Sequence, residues 1–194
     1  MSREAKQLLI VGAGPSGLAA AAAARRRGWQ PLIVDREGVA GGMWQRVPAE
    51  LRCLSPRGRD VLPDGGTPAG TAVCATAAEV ASAWSAFAQR ASLRIEKATV
   101  TALQPGPGGF EVATSAGSIQ AARVLVATGE YGCPTVPELP GAFGGPSSHS
   151  ARFDPTLIAE GETVVVVGAG NSASYVVGRL IDRGARVVVA AREA

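Results

Sequence analysis

Two glycine-rich turns with the spacing of dinucleotide-binding loops lie near the two ends of the sequence. The first is Gly12-Ala13-Gly14-Pro15-Ser16-Gly17, and the second is Gly168-Ala169-Gly170-Asn171-Ser172-Ala173. The first glycine permits a tight turn, the second lets the backbone approach a pyrophosphate, and a small third residue lets the next helix pack closely on the strand. The unpaired N–H groups at the start of that helix would then face the phosphates.

The segments around the first turn have the pattern of a βαβ unit. The apolar run Leu8–Val11 precedes the turn, an alanine-rich run from Leu18 to Ala24 follows it, and Pro31–Val34 has the composition of a second buried strand. Asp35 ends that strand and Arg36 follows. A carboxylate there accepts hydrogen bonds from an adenosine ribose but repels a 2′-phosphate, so this site is expected to prefer FAD or NAD over NADP.

The second turn has the same flanks but no acid. Thr163–Val167 is predicted to be a strand, residues 174–182 a helix, and Arg186–Ala190 another strand. Arg192 stands just past this strand, where a guanidinium would suit the 2′-phosphate of NADP. The alternative, a solvated charge beside Glu193, stays open. A glycine turn alone is weak evidence, but a strand, turn, helix and strand in this order predict a nucleotide site.

The region between the two turns supplies supporting elements. Thr76-Ala77-Ala78-Glu79 matches a capping box and predicts a helix, in which Trp84 and Phe87 are expected to pack in the core. Short β-prone runs over residues 99–122 predict a small antiparallel meander. A buried strand over residues 123–127 should then end at Thr128-Gly129, where backbone could again approach a cofactor.

Composition excludes several classes of protein. Apolar residues make up 46% of the 194 and charged residues 18%, with a net charge of +3, which indicates a globular domain. Arg25–Arg27 is the densest basic run and lacks neighbouring aromatics, so nucleic acid is not expected as a partner. The polar Met1–Gln7 and the glycines after Leu8 argue against a signal peptide or membrane span. Three cysteines without zinc or Cys-x-x-Cys spacing suggest a cytoplasmic protein without a metal site.

These patterns predict an α/β fold with two domains. Residues 1–154 are expected to form a Rossmann-like FAD-binding domain that includes the antiparallel meander. Residues 155–194 would begin a second Rossmann-like NAD(P)H-binding domain that is incomplete, with the proline-rich passage from Cys133 to Gly141 as linker. We therefore expect a C-terminally truncated chain, with an exposed apolar surface around Val187–Ala190.

The order of the motifs resembles that of the class B flavin monooxygenases, which comprise flavin-containing monooxygenases and Baeyer–Villiger enzymes. Between the two glycine turns come Gly41-Gly42-Met43-Trp44 and Ala127-Thr128-Gly129. Phe143-x-Gly145-x-x-x-His149-x-x-x-Phe153-Asp154 is similar to the signature that identifies this family. Trp44 stands where related disulfide reductases continue to a redox cysteine pair, so a dithiol relay is not expected.

The resemblance implies an NADPH-reduced, FAD-dependent enzyme. NADPH would reduce the flavin, and a flavin C4a-hydroperoxide formed with O₂ would oxygenate a nitrogen, sulfur or carbonyl substrate. This chemistry belongs to the flavin, so no catalytic side chain is assigned, and His149 is expected to form a structural hydrogen bond in the linker region. NADH in place of NADPH stays open.

The candidate cofactor-binding residues combine both turns with the motifs of the resemblance. They are Gly12, Gly14, Pro15, Ser16, Gly17, Asp35, Arg36, Gly42, Met43, Trp44, Thr128, Gly129, Gly168, Gly170, Asn171, Ser172 and Arg192. The expected partners are a small-molecule substrate and O₂, with a partner chain that would complete the second domain. Two alternatives remain: an NAD(P)H oxidase or flavin reductase that releases H₂O₂, and a non-catalytic nucleotide-binding fragment.

Overall fold

The computed structural model describes residues 8–192, so the predictions on Met1–Gln7 and Glu193 lie outside the described residues. The chain forms two compact units that divide between Gly132 and Cys133. Both units combine helices with parallel strands, and the first also holds an antiparallel sheet. The predicted α/β class is confirmed. The functional boundary after residue 154 stays a prediction.

A four-stranded parallel sheet forms the centre of the first unit. The strands and helices of this layer are β1, Leu8–Val11, α1, Pro15–Arg26, β2, Pro31–Asp35, α2, Ala77–Arg90, β3, Ile95–Lys97, and β7, Val124–Val126. The strand order in the sheet is β3-β2-β1-β7. Helix α1 follows β1, and helix α2 precedes β3. Because all four strands are parallel, their carboxyl ends meet at one edge of the sheet.

One face of this sheet packs against both helices. Ile10 and Ile33 contribute fully buried side chains, and Leu18 of α1 and Phe87 of α2 cover them. The ring of Trp84 meets Phe87 edge to face, with the ring centroids 5.5 Å apart. The predicted packing role of these two aromatic residues is confirmed.

The opposite face packs against the antiparallel meander. Its three strands are β4, Val100–Gly106, β5, Gly109–Thr114, and β6, Gly117–Ala121. Val112 of β5 is fully buried in a cluster with Leu9 of β1. The meander confirms the prediction, whereas β3 was not predicted, because only Ile95 within its three residues is apolar.

A long excursion, residues 46–76, connects the 3₁₀ turn Gly42–Gln45 to α2. Its ends meet, since Arg52 pairs with Thr76 in an antiparallel bridge. Arg57 holds the excursion together: its guanidinium donates to the carbonyl of Pro68 at 2.9 Å and lies 3.0 Å from the carboxylate of Glu79. Glu79 also completes the predicted capping box of α2. A few charged contacts thus order a segment that has little regular structure.

The second unit is a single βαβ element. Strands β8, Thr163–Val167, and β9, Arg186–Ala190, are parallel and are joined by helix α3, Asn171–Asp182. Val166 and Leu180 are buried between the sheet and α3. On the other face, Val165, Val167 and Val188 are each more than half exposed. The apolar surface expected around Val187–Ala190 is therefore confirmed at Val188 and Val189, whereas Val187 packs with α3.

Candidate functional site

The fold itself requires glycine at two positions of the first turn. Gly12 has a φ of +111°, and its N–H donates to the carbonyl of Val34 at 2.8 Å. A Cβ on Gly12 would lie 2.3 Å from the carbonyl oxygen of Ala127, and one on Gly17 would lie 2.0 Å from that of Gly12. Neighbouring backbone excludes a side chain at both positions, so glycine is required there whether or not a ligand binds.

Gly14 is different, because the described part of the protein leaves its side-chain position open. Its φ is −75°, which any residue adopts, and a Cβ there would meet nothing nearer than the Cα of Gly42 at 3.9 Å. Pro15 then begins α1, and within residues 8–192 no side chain caps the N-terminus of this helix. An open backbone surface at a helix N-terminus fits the approach of a phosphate.

Asp35 lies at the end of β2, as predicted, and it also contacts the turn. Its Oδ2 accepts a hydrogen bond from the N–H of Ala13 at 2.9 Å, and its Oδ1 accepts from Glu37 at 2.8 Å and Gly38 at 3.3 Å. A carboxylate offers about four acceptor positions, so capacity for a ribose hydroxyl remains. Arg36 is exposed, with its Nε 3.6 Å from the Glu37 carboxylate.

A second glycine segment, Gly41–Gly42, contacts the first turn at Ala13 and Gly14, and we call the surface that these two segments form the first cradle. The N–H of Gly41 donates to the carbonyl of Ala13 at 2.9 Å. Gly42 has a φ of +60°, and a Cβ on it would lie 2.7 Å from the Cα of Gly14. Met43 and Trp44 follow in the 3₁₀ turn and are partly exposed. Gly42 was a predicted site residue and Gly41 was not, because the pairing of Gly41 with Ala13 depends on the two segments meeting in space.

The end of β7 also contacts the first turn. The N–H of Ala127 donates to the carbonyl of Val11 at 2.8 Å, which places Ala127 against Gly12. Thr128 and Gly129 come next and are exposed. The candidate residues of the first unit therefore lie on segments that leave the carboxyl edge of the parallel sheet.

The second turn repeats the backbone of the first. Gly168 has a φ of +110° and donates to the carbonyl of Ala190 at 2.8 Å. Gly170 has a φ of −82°, and no described atom lies within 4 Å of a Cβ built on it. Asn171 and Ser172 begin α3, so their positions at the helix N-terminus agree with the prediction. Arg192 is exposed beyond β9.

The Phe-x-Gly…His signature lies within the second unit. A Cβ on Gly145 would lie 2.8 Å from the ring of Phe143, but this ring is 73% exposed and is free to turn aside. The Nδ1 of His149 accepts a hydrogen bond from the N–H of Ala151 at 3.1 Å, and Phe153 packs in the core beneath α3. His149 thus caps the 3₁₀ turn Ser150–Arg152, and its role as a hinge between the domains stays a prediction. The Thr156 hydroxyl and amide lower the pKa of Asp154.

The two thiols of the first unit, Cys53 and Cys74, lie next to the bridge between Arg52 and Thr76. The N–H of Cys53 donates to the carbonyl of Ala75 at 2.8 Å, next to Cys74, and both cysteines are free thiols. Burial raises the pKa of the Cys53 thiol, and the nearby Asp60 carboxylate raises it further. A thiol with a raised pKa is a poor nucleophile.

The described residues include neither a cluster of metal ligands nor a membrane-spanning helix. In residues 8–192, no three or more His, Cys, Asp and Glu side chains are grouped so as to hold a metal ion. None of the helices in that range combines the length and apolarity needed to cross a membrane.

An α/β fold with a dinucleotide-type turn in each unit defines a class of nucleotide-binding proteins. The family described as pyridine nucleotide-disulphide oxidoreductase matches residues 9–194, and the chain belongs to this family. Indole-3-pyruvate monooxygenase YUCCA1 from Oryza sativa subsp. japonica is 32% identical over 188 residues, which cover 92% of this chain and 46% of that protein. An uncharacterized CzcO-like oxidoreductase from Geobacillus kaustophilus is 30% identical, over 87% of this chain and 49% of that protein.

Solved structures agree with this assignment. The flavin-containing monooxygenase from Stenotrophomonas maltophilia matches with a TM-score of 0.88 and 28% identity, over 97% of this chain and 58% of that one. A bacillithiol disulfide reductase from Staphylococcus aureus, 20% identical with a TM-score of 0.83, shares the fold. The resemblance to flavin monooxygenases is confirmed. The chain spans about half the length of the curated relatives it matches.

Proposed function

We propose that the protein is an FAD-dependent, NADPH-reduced monooxygenase that oxygenates a nitrogen, sulfur or carbonyl group of a small molecule. The open side-chain position at Gly14 is the observation that carries this proposal. The fold requires Gly12 and Gly17 but leaves Gly14 free, and Gly14 is also the N-cap of α1, so a phosphate at this helix N-terminus would account for glycine there. In the second unit, Gly170 likewise leaves its side-chain position open.

The first unit would bind FAD. The pyrophosphate would lie against Gly14 and the α1 N-terminus near Ser16, and the carboxylate of Asp35 would accept from the ribose. Arg36, Gly42, Met43, Trp44, Thr128 and Gly129 would border the rest of the cofactor. When bound, FAD would accept a hydride and activate O₂. The protein's part is to hold the cofactor and exclude water.

The second unit would bind NADPH. Gly168 and Gly170 leave room for its pyrophosphate, and Asn171 and Ser172 would donate to it from the start of α3. Arg192 would pair with the 2′-phosphate, since Ala191 and not an acid occupies the position that corresponds to Asp35. In this proposal residues 1–154 form the FAD domain and 155–194 belong to the NADPH domain.

Disulfide reduction, which the family description includes, is less well supported by the thiols. Cys53 lies within the excursion and does not directly follow Gly41-Gly42. Burial also raises the pKa of its thiol. A nucleophilic thiol needs the opposite shift. The cytoplasmic location and a partner chain that completes the second domain also remain proposals.

The test is a titration of the purified chain with FAD, followed by the visible flavin spectrum. We expect wild type to bind FAD and Gly14→Ala to bind it about tenfold more weakly, since a methyl group would separate the backbone from a phosphate. Gly14→Ala should unfold at the wild-type temperature, because the protein leaves room for the methyl. Gly170→Ala is the matched control and should retain FAD. An equal loss in both variants, or none in either, would contradict the assignment of FAD to the first unit.

A further inference from the structure

The two turns share one hydrogen-bonded skeleton, so their residues can be aligned from the bonds. Gly12 donates to Val34 and Gly168 donates to Ala190, each at 2.8 Å. At the helix starts, the N–H of Leu18 bonds to Gly14 and that of Ser174 to Gly170, each at 3.0 Å. Ala13 therefore corresponds to Ala169, and Asp35 corresponds to Ala191.

The surroundings of these two alanines differ. Ala13 is fully buried, and both of its backbone groups are bonded: its N–H to Asp35 and its carbonyl to Gly41. Ala169 is exposed, and among the described residues its N–H has no acceptor. The position that would supply one is Ala191, whose methyl group accepts no hydrogen bond.

Asp35 is itself held in place. Its Oδ1 accepts from the N–H groups of Glu37 and Gly38, which fixes the carboxylate, and its Oδ2 is then directed at Ala13. A hydrogen bond to an ionised acceptor is about twice as strong as one between neutral groups. The first turn is therefore fixed by the polypeptide before any ligand arrives.

We propose that Asp35 is a positioning residue that pre-forms the first phosphate cradle, and that the second turn lacks this restraint because Ala191 stands in place of the acid. The identity of the first ligand as FAD rests on the proposed function. A pre-formed site does not have to order its backbone on binding, so it retains its ligand longer.

Amide hydrogen exchange in the ligand-free chain, measured by NMR, tests the positioning role without any cofactor. We expect the Ala13 amide to exchange about tenfold or more slowly than the Ala169 amide. Asp35→Asn keeps the side-chain shape but weakens the bond, and should speed exchange at Ala13. Glu37→Gln removes a neighbouring charge without a bond to the turn, and should leave Ala13 unchanged. Fast exchange at Ala13 in wild type, or slow exchange in Asp35→Asn, would overturn the proposal.

The converse variant adds the missing acid to the second turn. Ala191→Asp should slow exchange at the Ala169 amide by about tenfold. This position is exposed, so the variant should fold even if Asp35→Asn does not. Unchanged exchange at Ala169 would count against the proposed role of the acid.

A binding measurement separates positioning from direct ribose contact. FAD and its analogue lacking both hydroxyls of the adenosine ribose should each bind Asp35→Asn about tenfold more weakly than wild type, because the loss acts through the turn. If the loss disappears with the analogue, Asp35 acts on the ribose alone and the proposal is wrong. If wild type binds no FAD, the proposed function fails, whereas the exchange result still decides the positioning role.

Discussion

The turn at Gly12 is enclosed by its own unit, whereas the turn at Gly168 is open. Strand β7, the Gly41–Gly42 segment and Asp35 all contact the first turn. Around the second, no described atom lies within 4 Å of a Cβ on Gly168 or Gly170. The described residues therefore enclose the first turn and leave the second uncovered. In the first unit, this enclosure identifies Gly12 and Gly17 as glycines that the fold requires.

The largest expected difference between the turns concerns their first glycines. Gly12→Ala and Gly168→Ala both force an alanine into a φ near +110°, but only the first drives its Cβ into a backbone oxygen. We expect the free energy of unfolding to fall by about 1–3 kcal/mol more in Gly12→Ala than in Gly168→Ala. Denaturant unfolding followed by far-UV circular dichroism measures both.

Tryptophan fluorescence shows whether the first unit is the one that is destabilised. Trp29, Trp44 and Trp84 all lie in the first unit, so their fluorescence reports on that unit alone. The tryptophan-detected midpoint should fall in Gly12→Ala. Equal destabilisation by the two substitutions would show that contact with Ala127 does not distinguish the turns.

An intermediate effect is expected at the second turn on removal of Arg192. Arg192→Ala should weaken NADPH binding about tenfold and leave NADH binding unchanged, because only NADPH carries a 2′-phosphate. Arg186, at the other end of β9, is exposed and supplies the matched control, Arg186→Ala. Fluorescence titration with each nucleotide gives both affinities. A parallel loss of NADPH and NADH affinity would remove Arg192 as the reader of the phosphate.

The smallest effect concerns the excursion, which has no counterpart in the second unit. The Thr76 amide, and then the Arg57 guanidinium, hold the pKa of Glu79 below its usual range. Stability from this carboxylate is therefore full at neutral pH and is lost as the pH falls through the folded-state pKa. Glu79→Gln should lower the melting temperature by a few degrees at pH 7, and the difference from wild type should close as the pH falls through the lowered pKa of Glu79.

Glu130→Gln is the control for charge alone, because Glu130 is exposed and lies outside α2 and the excursion. It should melt like wild type across the same pH range. A Glu79→Gln difference that stays constant with pH would mean that the ionised carboxylate does not stabilise the excursion.

The elements that carry a strong local pattern could be predicted from the sequence. β1, β8 and β9 have the predicted bounds, and the capping box at Thr76 and Glu79 forms as expected. The missed features depend on contacts between distant residues. β3 is too short to show a pattern, and the excursion is ordered by Arg57, whose partners lie 11 to 22 residues away. The bond from Ala13 to Asp35 is of the same kind.

The most direct test of the central claim is the flavin spectrum during anaerobic reduction. The purified chain would be loaded with FAD, freed of excess, and mixed with NADPH in the absence of O₂. Loss of the visible flavin band on NADPH addition is the predicted result, and adding O₂ with a substrate would then separate oxygenation from H₂O₂ release. A flavin band that stays unchanged with NADPH would contradict the account.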